Sequence, residues 1–149
     1  MYNKFIMPTK FCFLTIINFE LHRLLNDVVD FDVELEINSK NDLDFLIVRD
    51  GIKNFLKAGS GFEKTAASLA LRCVLGRISS LPKPNFIAFD EVFGKVADEN
   101  LEYMRLLFDK IRGMFDSVLL ITHNTIIRDW ADNIITFKKI DNITSFSME

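Results

Sequence analysis

Apolar positions change period several times along the chain, and each change predicts an element. From Phe11 to Val29, Leu14, Ile17, Leu21, Leu24 or Leu25, and Val28 recur at spacings of three and four, which predicts a helix. FDVELEIN, residues 31–38, then alternates strictly. Phe31, Val33, Leu35 and Ile37 face one way and Asp32, Glu34 and Glu36 the other, as in a half-buried strand. Ser39–Asp42 is turn chemistry, and LDFLIVRDG, residues 43–51, completes a hairpin. A loop containing AGSGFEK, residues 58–64, leads into a second helix that runs to about Ser80, with Ala66, Leu69, Ala70, Cys73, Val74 and Ile78 on one face. The two prolines of LPKPN, residues 81–85, stop it.

The second half alternates strands with helices. FIAF, residues 86–89, is a continuous apolar run, the mark of a strand buried on both faces, and it ends in Asp90 and Glu91. Leu101, Met104, Phe108, Ile111 and Phe115 predict an amphipathic helix from about Glu99. SVLLIT, residues 117–122, is another such strand, and it ends in His123. A short helix over residues 125–131, a strand over 133–139 and a further edge strand in ITSFSME follow. Strand, helix, strand within about 35 residues is a βαβ unit with parallel strands. Two such units in series predict an α/β fold: a parallel sheet flanked by helices, with a β-hairpin on its N-terminal side.

Composition adds exclusions. The chain has 149 residues, 49% hydrophobic and 26% charged, which fits one soluble domain with a proper core. Mean hydropathy is +0.16. Fifteen residues are Phe against 2 Tyr and 1 Trp, so most rings belong to a core or an interface. Net charge is −3 and the pI about 5.4, against the basic balance of a free-standing nucleic-acid binder. No apolar run reaches a membrane span. Pro8, Thr9 and Lys10 interrupt the apolar start, and no small-residue cleavage site follows, so a signal peptide is not expected. Cys12 and Cys73 lack metal or redox spacing and read as buried free thiols in a reducing cytoplasm.

In open α/β sheets, ligands bind beyond the carboxyl ends of parallel strands. Asp90 and Glu91 close one strand, His123 and Asn124 the next. Glu91 and His123 are 32 residues apart (123 − 91), one βαβ step, so both are expected at one sheet edge. Asp90 could hold Mg²⁺, a hard cation that takes carboxylate and water ligands. Glu91 could orient or deprotonate a water, and His123 could contact charge developing on a γ-phosphate. Solvent exposure alone also puts acidic residues at strand ends.

Ser60–Glu63 fits a capping box, which accounts for Ser60 and Glu63 without any function. Gly59 and Gly61 beside it permit close approach of an anion to a helix N-terminus. His22 and Trp130 read as helical and packing residues. Lys53, Lys57 and Lys64 read as a solvated loop.

Taken in order, GSGFEKTAASLALR, NFIAFDEVFGKVADEN and LLITHN resemble the C-terminal half of an ABC-type ATPase head of the SMC and SbcC DNA-repair group, and most nearly the ATPase subunits of phage recombination endonucleases. The resemblance runs from about Leu24 to Lys139. It implies ATP and Mg²⁺ as cofactors. Ser60 and Gly61 match the signature loop that touches the γ-phosphate of ATP on the opposite subunit. Asp90 matches the Walker B aspartate on Mg²⁺, Glu91 the catalytic glutamate, and His123 the switch histidine. Residues 92–98 match the D-loop. Residues 1–30 would end the returning coiled-coil arm, and residues 31–149 would form the half-head. The implied partners are an N-terminal Walker A half or a second head as a dimer, an SbcD-like nuclease subunit, and DNA in the assembled complex. The implied place is the cytoplasm, that of the host cell for a viral protein, with no membrane attachment.

Three departures qualify the match. Phe62 replaces the signature's second glycine. The D-loop aspartate position holds Ala97, with Asp98 one place late. No GxxxxGK[ST] occurs, since the one Gly-Lys, Gly94-Lys95, is followed by Val96. The expectation is an ATPase only in combination with a Walker A half, against the alternative of a non-catalytic interaction module. A third and thinner reading makes Asp90, Glu91 and His123 a self-contained metal-dependent hydrolase.

Overall fold

The computed structural model describes residues 6–79 and 85–148. Helix α1 spans Ile6–Leu25, longer at its start than the apolar stripe implied and shorter at its end. It stops because the chain turns: Asp27 adopts φ 62°, and Asn26, Val28 and Val29 donate back to carbonyls of the last turn. Its inner stripe, Ile17, Leu21, Leu24 and Leu25, is buried together with Val28 just beyond. Asn18 fixes the helix to the sheet: its side-chain N–H donates to the Leu35 carbonyl at 3.0 Å, and its oxygen accepts the Leu35 N–H at 2.9 Å. One amide thus satisfies both polar groups that the strand edge presents at Leu35. The outer stripe, Phe13, Ile16 and Phe19, is exposed, and so is Cys12, which corrects the expectation of two buried thiols.

β1 (Asp32–Ile37), β2 (Leu43–Arg49) and β3 (Ile52–Phe55) form an antiparallel sheet in that order. The alternation of β1 is as expected, with Phe31, Val33 and Leu35 buried. The third strand was not expected, and it follows from the Asp50-Gly51 turn. Both residues take positive φ, 52° and 77°, as in the two-residue hairpin turns whose twist matches the flanking strands.

α2 (Gly61–Ile78) packs Ala66, Ala67, Leu69, Ala70, Cys73 and Val74 into the same core as α1. The connector expected at residues 81–85 lies, apart from Asn85, outside the described residues. β4 (Phe86–Asp90) pairs in parallel with β5 (Ser117–Ile121), and α3 (Leu101–Arg112) crosses between them. This is the expected βαβ unit.

Two expectations about this region are corrected. First, β4 and β5 are buried on one face only. Phe89 is buried and Ile87, Val118 and Leu120 are partly covered, whereas Phe86 (58%), Leu119 (54%) and Ile121 (48%) are exposed on the other face. Helix α3 supplies apolar cover to a single side, through Met104, Leu107, Phe108 and Ile111. Second, among the described residues no second βαβ unit closes. After β5 comes only the one-turn helix α4 (Thr125–Arg128), too little for a crossover. β6 (Ile135–Ile140) instead pairs antiparallel with β7 (Ile143–Met148). Asp141-Asn142, with φ 49° and 64°, makes the same kind of tight turn as Asp50-Gly51.

Candidate functional site

Glu91 sits one residue past β4 in a left-handed conformation, φ 49°. A non-glycine residue held there costs roughly 1–2 kcal/mol, so surrounding bonds must enforce it. They are present: the Glu91 N–H donates to the Ile121 carbonyl at 2.9 Å, extending the parallel ladder, and the Glu91 carbonyl accepts Gly94 N–H at 3.2 Å. The bend turns the side chain to the neighbouring strand end. Glu91 Oε1 and His123 Nδ1 are 2.8 Å apart. The carboxylate accepts, so Nδ1 carries the proton and Nε2 remains for other chemistry. The His123 side chain is 84% exposed. The next residue, Asn124, caps α4 by accepting Ile126 N–H at 2.9 Å, which fixes the chain direction just after the histidine.

Asp90 is exposed at the end of β4, and no described residue makes a hydrogen bond or ion pair with its carboxylate. An uncommitted carboxylate beside Glu91 fits a hydrated Mg²⁺, which keeps several waters and takes one or two protein oxygens. Among the described residues, no group of three or more His, Cys, Asp or Glu is arranged to hold a metal ion. Among those residues the self-contained hydrolase reading finds no ligand set.

The segment after Glu91 is anchored to the core. Phe93 and Val96 are buried. The Phe93 ring meets Trp130 at 5.1 Å and Phe108 at 6.2 Å, edge to face. Trp130 is a packing residue, as expected.

Ser60 and Gly61 begin α2. Ser60 Oγ accepts Glu63 N–H at 3.2 Å, and Glu63 Oε2 accepts Ser60 N–H at 2.6 Å, so the capping box is complete. It holds the Glu63 pKa below the ordinary carboxylate value, first through the Ser60 backbone N–H, against desolvation, and then through the Ser60 hydroxyl and Arg49. Phe62 turns into the protein: its ring meets Phe31 edge-on at 6.0 Å and Tyr103 at 6.1 Å. Gly61 has a further reason to be glycine that the sequence did not reveal. A Cβ there would lie 2.7 Å from the Lys95 carbonyl, so the α2 N-terminus and the segment after Glu91 touch backbone to backbone.

The structure thus brings Asp90, Glu91 and His123 to one sheet edge. It places Ser60 and Gly61 at a capped helix N-terminus that abuts the segment following Glu91. Sequence reasoning passed over Arg49, which bridges Asp30 and Glu63. No local motif marks it, because its partners lie 19 and 14 residues away.

Solved structures share this fold. A chain from work on ATP-driven dimerization and DNA-stimulated activation of SMC ATPases superposes with TM-score 0.78 at 16% identity, over 95% of this chain and 88% of that one. The chain has the fold of an SMC ATPase head. The SMC head domain from Thermotoga maritima matches with TM-score 0.68 at 25% identity, over 89% of this chain and 47% of that one. An SMC head bound to the C-terminal winged-helix domain of ScpA gives TM-score 0.73 at 16% identity, over 96% of this chain and 45% of that one. The chain thus spans about half the length of these last two. No protein-family model matches the chain. An uncharacterized protein of Acanthamoeba polyphaga mimivirus is 25% identical over 144 residues, and the chain spans only 11% of its length. No helix among the described residues is long and apolar enough to cross a membrane.

Proposed function

We propose that the chain is the C-terminal lobe of an SMC/SbcC-like ATPase and completes an ATP site together with a Walker A lobe, carried by another chain or by a longer parent. The observation that carries this reading is the contact between Glu91 and His123, 2.8 Å apart at the ends of adjacent parallel strands. In the proposed site Asp90 holds Mg²⁺, which supplies charge neutralisation at the phosphates. Glu91 orients and deprotonates the attacking water. His123, its Nδ1–H held by Glu91, stabilises charge on the γ-phosphate when its Nε2 is also protonated and donates. Ser60, through its hydroxyl, and Gly61, through its backbone N–H, meet the γ-phosphate of ATP held by the opposite subunit.

The open face of the β4–β5 sheet supports a missing lobe. Phe86, Ala88, Leu119 and Ile121 form an apolar surface that α3 does not reach. The exposed stripe Phe13, Ile16 and Phe19 on α1 supports the assignment of residues 1–30 as the foot of a coiled-coil arm, with residues 31–149 as the half-head.

We place the assembled protein in DNA recombination or double-strand-break repair with an SbcD-like nuclease subunit. The order and spacing of the sequence motifs support that setting. The mimivirus relative supports a viral source and hence the host-cell cytoplasm. The test is co-expression with a Walker A half. ATP turnover that disappears in Glu91→Gln is the expected result. Tight association without turnover would overturn it in favour of the non-catalytic module, the reading that Ala97 favours.

A further inference from the structure

The N-terminus of α2 is tied to the base of α1 through one side chain. Arg49, the last residue of β2, places Nη2 3.2 Å from Asp30 Oδ1 and 3.1 Å from Glu63 Oε1. Asp30 lies in the turn that follows α1. Glu63 closes the capping box on Ser60. The guanidinium also lies 5.7 Å from the centre of the Phe31 ring, which in turn packs edge-on against Phe62. The Arg49 guanidinium therefore meets both sides of the junction, Asp30 and Phe31 on one and Glu63 on the other.

Close packing covers only part of the same junction. A cavity of about 400 Å³ lies between the two segments, bordered by Val29, Asp30, Arg49, Phe62 and Tyr103. Beside this cleft, Arg49 adds a polar link to the Phe31–Phe62 ring contact across the junction. A fixed guanidinium shared by two carboxylates is also a directional link, unlike an apolar contact that tolerates sliding.

We infer that Arg49 is a positioning residue that sets the placement of the Ser60–Gly61 turn according to where the end of α1 sits. The inference rests on the ATPase reading for its consequence, because that turn is the one proposed to meet ATP on the opposite subunit. A displacement of α1 would then be felt at the nucleotide, and nucleotide contact at Ser60 would be felt by α1.

Amide hydrogen exchange on the chain itself tests the link without any ATPase assay. Loss of a charge-assisted bridge in Arg49→Met, which keeps the unbranched stem, should speed exchange of the Ser60 and Lys64 amides roughly tenfold. The middle of α2, Leu69–Val74, should be unaffected. Arg49→Lys, which keeps the charge, should restore most of the protection. Asp30→Asn should also speed exchange at Ser60, and should add nothing in the Arg49→Met background.

Uniform acceleration along α2, failure of Arg49→Lys to restore protection, or an Asp30→Asn effect independent of Arg49 would overturn the inference. If Arg49→Met fails to fold, Asp30→Asn alone decides: no change at Ser60 overturns it. In the assembled head, Arg49→Met should raise the ATP concentration for half-maximal rate roughly tenfold and leave the maximal rate unchanged. Coupled exchange in the chain, with no turnover by any assembled head, would reject the ATPase reading and leave the link standing.

Discussion

Glu91 reaches His123 because its backbone is bent into a conformation that few residues occupy. The 2.8 Å contact depends on φ 49° at Glu91 and on the ladder bond from Glu91 N–H to Ile121. In the proposed ATP site Glu91 is the general base, and such a group contributes typically 10²–10⁴-fold to a hydrolytic step. In a head assembled with a Walker A half, Glu91→Gln should lower kcat by at least about a hundredfold, with ATP binding retained. His123→Ala should do the same. Glycine at position 91 relieves the backbone, so Glu91→Gly should stabilise the fold by up to about 1 kcal/mol while removing activity. A thermal melt beside a phosphate-release assay separates the two effects.

Gly61→Ala probes the contact with Lys95. A Cβ placed 2.7 Å from a backbone carbonyl cannot be relieved by rotating a side chain. The expected cost is about 1–3 kcal/mol, because the helix start or the Phe93–Val96 segment must move. Gly76 is a control in the same helix, since a Cβ there meets nothing within 4 Å. Gly76→Ala should stabilise by about 0.5–1 kcal/mol through helix propensity. Equal effects at the two positions in urea unfolding would contradict the close approach.

The capping box predicts a pH dependence. Folding lowers the Glu63 pKa below its ordinary 4.5, so the unfolded chain binds this proton more readily than the folded one. The resulting stability is fully present above pH ~4.5 and is lost as pH falls through the lowered folded value. Glu63→Gln should therefore cost about 1 kcal/mol at pH 7. The difference from the parent protein should shrink steadily below about pH 4.5. Urea titrations of both proteins between pH 3 and 7 measure it.

The two thiols should differ sharply in reactivity. Burial pushes the Cys73 thiol up to about 11, whereas Cys12 is exposed on α1. The thiolate is the reacting form, so a maleimide at pH 7.5 should label Cys12 within minutes and Cys73 only on unfolding. Labelling at Cys73 in the folded chain would show that α2 is not packed as described.

Much of this molecule is legible in its sequence wherever one residue's environment is local. The period of β1, the stripe of α2, the capping box and the acidic end of β4 depend on residues within a few positions of each other. The strand β3 was legible too, in Asp50-Gly51, but a hairpin reading that ended at Gly51 passed over it; the strands β6 and β7 were read, but not that the Asp141-Asn142 turn pairs them. What cannot be read is long-range: the Lys95 carbonyl against Gly61, and Arg49 between Asp30 and Glu63. Nor does an apolar run reveal how many of its faces this chain itself covers. FIAF and SVLLI look doubly buried because their composition suits cover on both sides, and α3 provides one of them.

That uncovered side yields the last prediction. Phe86, Leu119 and Ile121 are 58%, 54% and 48% exposed on one face of β4–β5, and Phe137, Phe146 and Met148 are 69%, 70% and 67% exposed on the C-terminal hairpin. A two-stranded hairpin is marginal alone in water, and a large apolar patch drives association. The isolated chain should therefore bind a hydrophobic dye and self-associate with rising concentration. Leu119→Thr and Ile121→Thr together should reduce both while changing unfolding stability by less than about 0.5 kcal/mol, since neither side chain is in the core. The same pair should weaken capture of a Walker A half by roughly tenfold or more, because each exposed aliphatic chain buried on docking contributes about 1 kcal/mol or more. Light scattering and a pull-down with the partner half read the two outcomes separately. Loss of stability in the double variant, with self-association unchanged, would mean that this face is already covered in the free chain and that the other lobe must dock elsewhere.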